Sequence, residues 1–185
     1  NAGTSFIATN LGISKIDQIL KWVDNNKVDL VLIGPDSYLA EGIVDKLQAK
    51  KVVVFGPTKA AARIEWSKSF AKKLMQETGI PTANSRTFED FKNANEYIKN
   101  QKFPVVIKAD GLALGKGVVI AQNLKEAKPV LKKIMKERVY GDAGRKIIIE
   151  EYLYGKEISV HAFCDGKNAI LFPVSKDHKR IFEGD

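Results

Sequence analysis

The sequence has 185 residues, 44% of them hydrophobic, and a formal net charge of +8. That length suits one large or two small domains with a real core. The single cysteine, Cys164, excludes a disulfide framework and fits a reducing cytosol, and no apolar run approaches the ~20 residues that span a bilayer.

In chain order, Ser14 is placed to cap a helix over residues 15–26, with Ile16, Ile19, Leu20 and Val23 on one face. A buried strand over 28–33 ends at Gly34-Pro35. A helix over 39–49 follows, with Asp36 placed to cap it or to touch substrate, and then a strand over 52–55 that ends at Gly56-Pro57. This β-α-β alternation predicts a parallel sheet, in which ligands meet the C-terminal ends of the strands. A helix over 67–78 stops at Gly79 and Pro81, and further helices are expected over 88–100 and 124–138. Strands are expected over 146–151, 158–164 and 169–173, an order that fits a small α+β lid set over a larger sheet. Cys164, inside one of those runs, reads as a small core residue. His161 reads as structural, and no Cys/His spacing suggests zinc.

The charge is mostly lysine. Lys72-Lys73, Lys125 with Lys128, and Lys132-Lys133 with Lys136 stand among acidic residues on predicted helices and read as solvated faces. A nucleic-acid patch needs arginines and aromatic rings between the lysines. Five arginines do not supply it, so nucleic acid is not an expected partner. A mild positive field still draws in small anionic ligands.

The densest signal lies between the predicted helices at 88–100 and 124–138. A hydrophobic strand over 105–109 carries one lysine, Lys108, and runs into Gly111-x-x-x-Gly115-Lys116-Gly117. A second β-run over 118–121 follows at once. Glycines let backbone N–H groups converge on an oxyanion, and lysine adds a point charge. The spacing is not that of a Walker A loop, which needs a hydroxyl residue and then a helix. Nor is it the Gly-x-Gly-x-x-Gly of a dinucleotide fold. Two readings remain from the residues alone: a plain hairpin with Lys116 in solvent, or a flap over nucleotide phosphates. Lys108 favours the flap, because a lysine on a hydrophobic strand usually has a partner.

Phe55-Gly-Pro-Thr58, Ala60-Ala-Ala-Arg-Ile-Glu-Trp-Ser-Lys-Ser-Phe-Ala-Lys-Lys-Leu-Met75, Gly79-Ile-Pro-Thr82, Ile107-Lys-Ala-Asp-Gly111, Gly141-Asp-Ala-Gly144, Ile149-Glu-Glu-Tyr-Leu153 and Asp177-His-Lys-Arg180 occur in that order. The series, over essentially the whole chain, resembles glycinamide ribonucleotide synthetase (phosphoribosylamine–glycine ligase) of the ATP-grasp superfamily. The resemblance implies an α/β fold: an incomplete Rossmann-like (pre-ATP-grasp) parallel sheet, then the first part of an ATP-grasp fold with an α+β lid. It implies a partial N-terminal domain at 1–60, a connecting helix at 61–80, a lid with its flap at 81–152, and the start of a larger subdomain at 153–185. The start of the chain resembles the segment after the family's first βαβ unit. The expectation is therefore an internal piece of a longer ligase that lacks that unit and the C-terminal half and does not turn over alone. The family's loop more often has glutamate and proline where Asp36 and Tyr38 stand.

The roles follow by resemblance. Lys68 and Lys108 reach the ATP phosphates from two sides, while Gly111, Gly115, Lys116 and Gly117 form the flap, with Lys116 and Lys108 catalytic. Glu150, Glu151, Tyr152 and Leu153 line the adenine hinge, and Glu157 takes the ribose hydroxyls. Asp177, His178, Lys179 and Arg180 bind substrate. Magnesium or manganese is expected, with its ligands beyond residue 185. ATP, glycine and 5-phosphoribosylamine are the expected ligands of a cytoplasmic, preferentially monomeric enzyme with no membrane partner. A different ATP-grasp carboxylate–amine ligase, or a nucleotide-binding module without catalysis, shares the lysines and the hinge.

Overall fold

The computed structural model describes residues 3–113 and 117–176. They fall into two compact units that divide between Tyr152 and Leu153.

The first unit holds two hydrophobic clusters. The earlier one is built by α1 (Ile16–Asn25), β1 (Val31–Leu32), α2 (Asp36–Ala40), α3 (Ile43–Ala49) and β2 (Val54–Phe55). Ile16 and Val23 of α1 meet Ile43, Val44 and Leu47 of α3, with Ile19, Leu20, Val31, Ile33, Val52 and Val54 packed against them. β1 and β2 pair in parallel, Val31 opposite Val54 and Leu32 opposite Phe55. Strand side chains alternate between faces, so Leu32, Val53 and Phe55 are exposed.

Local chemistry corrects two boundaries here. Ser14 does not cap α1: Lys15 is the extended residue before it, without a side-chain cap bond. The helix expected over 39–49 is two helices, because Gly42 sits at φ 78 and breaks the ladder. Asp36 therefore opens α2 and does not cap α3.

Two further helices, α4 (Lys59–Trp66) and α5 (Lys68–Thr78), meet at Ser67, which ends one and caps the other through Phe70 N. Thr58 caps α4 through Ala61 N, and Gly79 at φ 71 closes α5.

The later cluster lies under an antiparallel sheet of order β3-β6-β4-β5, made of β3 (Ser85–Phe88), β4 (Val105–Ala109), β5 (Val118–Ala121) and β6 (Ile147–Glu151). α6 (Phe91–Ile98) and α7 (Leu124–Met135) cover one face with Ala94, Ile98, Leu131 and Ile134 against Val105, Ile107, Ile147 and Ile149. The helix expected over 88–100 is present but shorter, and Phe88 belongs instead to the strand before it. Residues 85–88 satisfy their backbone groups against β6, and the Asp90 carboxylate accepts from Asn93 N to start α6. α7 stops short of 138, where Arg138 takes a left-handed φ of 53, and a 3-10 turn at Gly141–Arg145 leads into β6.

The second unit is a hairpin of β7 (Ala162–Cys164) and β8 (Ala169–Leu171), extended by a bridge between Ser159 and Ser175. The expected strands at 158–164 and 169–173 are shorter than predicted. The Asp165 carboxylate accepts from Asn168 N and Lys167 N at the turn, which pulls its pKa down to about 2. Cys164 is exposed, contrary to the core position expected of it: both strands of this hairpin are solvated.

Candidate functional site

The period of two that sends Val105, Ile107 and Ala109 into the core sends Lys108 to the opposite face of the sheet. On β6 the same alternation buries Ile147 and Ile149 under the helices and leaves Glu150 on the face of Lys108. The β4–β6 register pairs Lys108 with Ile148 and Val106 with Glu150, so lysine and glutamate are diagonal neighbours. Lys108 Nζ stands 2.7 Å from Glu150 Oε2. The partner expected for a lysine on an apolar strand is therefore Glu150, whose side chain is only 4% exposed.

Glu150 also faces a second cation. Lys72 of α5 lies 3.4 Å from its Oε1, with a side chain 11% exposed. The Lys72 ammonium donates to Thr82 Oγ1 at 2.7 Å and to the Ala83 carbonyl at 3.1 Å. This overturns the sequence reading of Lys72 as part of a solvated helix face. Its neighbour Lys73 is exposed and pairs with Glu77 on the surface. The Lys72–Glu150 contact is an ion pair outside hydrogen-bond geometry, and Oε1 is a buried acceptor without a hydrogen bond. Period and composition did not single out Lys72. Only the docking of α5 beside the sheet buries it.

The loop after β4 is bolted to the start of α5. Asp110 accepts from Ser69 N at 3.0 Å, from Ser69 Oγ, and from Ser67 Oγ at 3.5 Å. A carboxylate there also meets the positive end of the helix dipole. Lys68 reaches across to donate to the Gly111 carbonyl at 3.0 Å. Burial pulls the Lys68 amine below the usual lysine value; Asp110 opposes that shift, and the charge of Lys108 adds to it. Lys68 and Lys108 thus share one electrostatic neighbourhood with Asp110 and Glu150. Asp110 was not among the residues singled out from sequence, although its place in Lys108-Ala-Asp-Gly111 was visible. Asp110→Ala removes the acceptor for three donors and is expected to lower stability by about 2 kcal/mol, measured as the urea midpoint at unchanged slope.

Gly111 adopts φ 104, and Gly117 has no room for a side chain, since a Cβ there would lie 2.7 Å from Ala113 Cβ. The Gly117 carbonyl accepts from Ala109 N at 2.8 Å, closing the base of the β4–β5 hairpin. Gly115 and Lys116, at its tip, lie outside the described residues, as do Asp177, His178, Lys179 and Arg180.

At the end of β6 the Glu151 carboxylate accepts from Asn84 N at 2.8 Å and Asn84 Nδ2 at 3.0 Å, which lowers its pKa. Its side chain fastens the segment before β3. Tyr152 closes the first unit, half-buried; Leu153 and Glu157, both exposed, belong to the second. Among the described residues no group of three or more His, Cys, Asp or Glu side chains is arranged to hold a metal. No helix among them is long and apolar enough to cross a membrane.

Residues 1–65 match the family model for the N domain of phosphoribosylglycinamide synthetase, and residues 66–185 match that for its ATP-grasp (A) domain. A phosphoribosylamine–glycine ligase of Streptococcus pyogenes is 44% identical over 176 residues, 95% of this chain and 42% of that protein. The crystal structure of a phosphoribosylamine–glycine ligase from Thermotoga maritima superposes with a TM-score of 0.81 at 34% identity, covering the whole chain and 44% of that structure. A biotin carboxylase from Campylobacter jejuni shares the fold at a TM-score of 0.72 and 21% identity, over 84% of this chain and 36% of that one. The chain thus spans less than half the length of the relatives it matches. With its N-domain and ATP-grasp-domain models matched in order over the whole chain, the chain belongs to the phosphoribosylglycinamide synthetase family.

Proposed function

We propose that this chain is the nucleotide-binding part of an ATP-dependent carbon–nitrogen ligase. It joins glycine to 5-phosphoribosylamine and gives glycinamide ribonucleotide, ADP and phosphate, a step of purine biosynthesis. The observation that carries this reading is the tandem match of the whole chain to the two domains of one synthetase family. The chemistry of the sheet face supports it. Lys68 and Lys108 offer fixed cations to a triphosphate, and Glu150 Oε1 is a buried acceptor that lacks a donor. Fixed charges offset the negative charge that spreads in phosphoryl transfer without reorganising during the step.

A glycine carboxylate oxygen attacks the γ-phosphorus of ATP, the bond to the bridging oxygen breaks, and ADP leaves. The phosphoribosylamine nitrogen then attacks the acyl carbon, the carbon–oxygen bond to phosphate breaks, and the nitrogen sheds its proton to solvent. A glycyl phosphate hydrolyses readily, so a flap that excludes water is needed at Gly111, Gly115, Lys116 and Gly117. A divalent cation supplies charge neutralisation when bound, and none of the described residues is assigned to it. The resemblance gives Glu150, Glu151, Tyr152 and Leu153 to the adenine hinge, Glu157 to ribose, and Asp177, His178, Lys179 and Arg180 to the acceptor.

Lys116→Ala is expected to slow turnover by about tenfold or more while changing ATP affinity less. An unchanged turnover number removes the flap from the chemistry. The reaction itself is tested by ADP release from the full-length protein, with glycine and freshly generated phosphoribosylamine supplied singly and together. Release that requires both establishes the ligase. Release with another carboxylate, or none, retracts the named reaction and leaves the family's fold.

A further inference from the structure

We infer that Lys72 is a positioning residue for the nucleotide site and acts through Glu150 on Lys108. The inference rests on the nucleotide reading above and adds to it a residue that touches no ligand.

The geometry is a relay of fixed charges. Thr82 Oγ1 and the Ala83 carbonyl hold the Lys72 ammonium at 2.7 and 3.1 Å, so two of its three N–H bonds are committed to protein. Its charge faces Glu150 Oε1 at 3.4 Å, and Glu150 Oε2 holds Lys108 Nζ at 2.7 Å. Lys108 alone has a flexible four-carbon stem and no reason to keep one rotamer. Glu150 supplies that reason only while its own carboxylate is fixed, and from α5 it is Lys72 that stands within ion-pair distance of it. Side-chain exposure is 11% for Lys72 and 4% for Glu150, against 26% for Lys108 at the end of the relay. The groups furthest from solvent are the ones that aim the group nearest to it.

A purely structural role is the competing account, and physics argues against it. Desolvating an ion pair is costly, and a hydrophobic replacement of similar volume is often as stable. Stability alone does not call for a lysine in this position. A charge that sets the direction of another charge does.

The test is a double-mutant cycle read as ADP affinity on the full-length protein, using Lys72→Met, Glu150→Gln and both together. Each single variant is expected to weaken ADP binding about tenfold, and the pair also about tenfold instead of a hundredfold, because both changes cut one relay. KM for ATP is expected to rise by a similar factor while kcat falls less, a split that a global loss of fold would not give. Thr82→Val keeps both charges and removes one tether of Lys72. It is expected to weaken ADP binding about threefold, and it serves if Lys72→Met does not fold. Wild-type protein that binds no ADP overturns both the nucleotide reading and this inference. Wild-type binding with additive losses, or with Thr82→Val and Lys72→Met at wild-type affinity, overturns the inference alone.

Discussion

Glu150→Ala is expected to lower stability by about 3–5 kcal/mol, the range seen when one partner of a buried ion pair is removed. The carboxylate stands between two ammonium groups, and its loss leaves them confronting each other where water has little access. For a domain of this size each kcal/mol lowers the thermal midpoint by roughly 2–4 °C, so the expected fall is on the order of 10 °C. Glu150→Ala combined with Lys72→Met removes one of the two confronting charges and is expected to recover part of the loss. Circular dichroism melts of wild type, single and double variants decide the matter. A single variant that melts within a degree or two of wild type would mean that water already solvates both lysines.

Gly144→Ala is the second large effect, about 3 kcal/mol, at the upper end of what overpacking a filled interior costs. A Cβ at this position would lie 2.4 Å from the Ile134 carbonyl oxygen. That oxygen belongs to the backbone of α7 and cannot rotate away, so either the helix end or the 3-10 turn must move. The turn adjoins the site as well: Ala143 lies where a Cβ on Gly111 would touch it, and Asp110 N donates to the Lys146 carbonyl at 2.9 Å. The variant is therefore expected to loosen the base of the hairpin along with the core. Gly141→Ala is the control, since nothing surrounds a Cβ there and only its φ of 55 is strained. It is expected to cost about 1 kcal/mol. Urea titrations of the two variants separate close approach from backbone strain. If Gly141→Ala were the more damaging, the contact with Ile134 would not be the reason for the glycine.

Some of the site was legible in the residues. A strand with one lysine among valines and isoleucine has few physical interpretations, and its requirement for a partner followed from desolvation alone. The glycines around the turn marked the β4–β5 hairpin for the same reason: the backbone at Gly111, and the crowding at Gly117, exclude other residues. Lys72 was misread because helical periodicity reports which residues share a face and says nothing of what lies opposite that face. Asp110 escaped notice because an acid after a strand looks like an ordinary turn residue until a helix N-terminus is brought to it from 41 positions away.

The same distinction separates the rest of the fold. The sequence by itself determined the parallel β1–β2 unit, the hairpin and the stop of α5 at Gly79, because hydrophobic period, glycine φ and proline are properties of a few neighbouring residues. It also determined the family, through the order of its motifs. Only tertiary structure decided that residues 85–88 form an edge strand, since their hydrogen-bond partners are in β6, more than fifty residues later. It alone decided that Cys164 is exposed and Lys72 buried, because burial depends on which elements pack together. It alone turned two lysines and a glutamate from three distant elements into one electrostatic unit. A side chain's charge is fixed by its chemistry, but the energy of that charge is set by the groups and solvent that folding places around it.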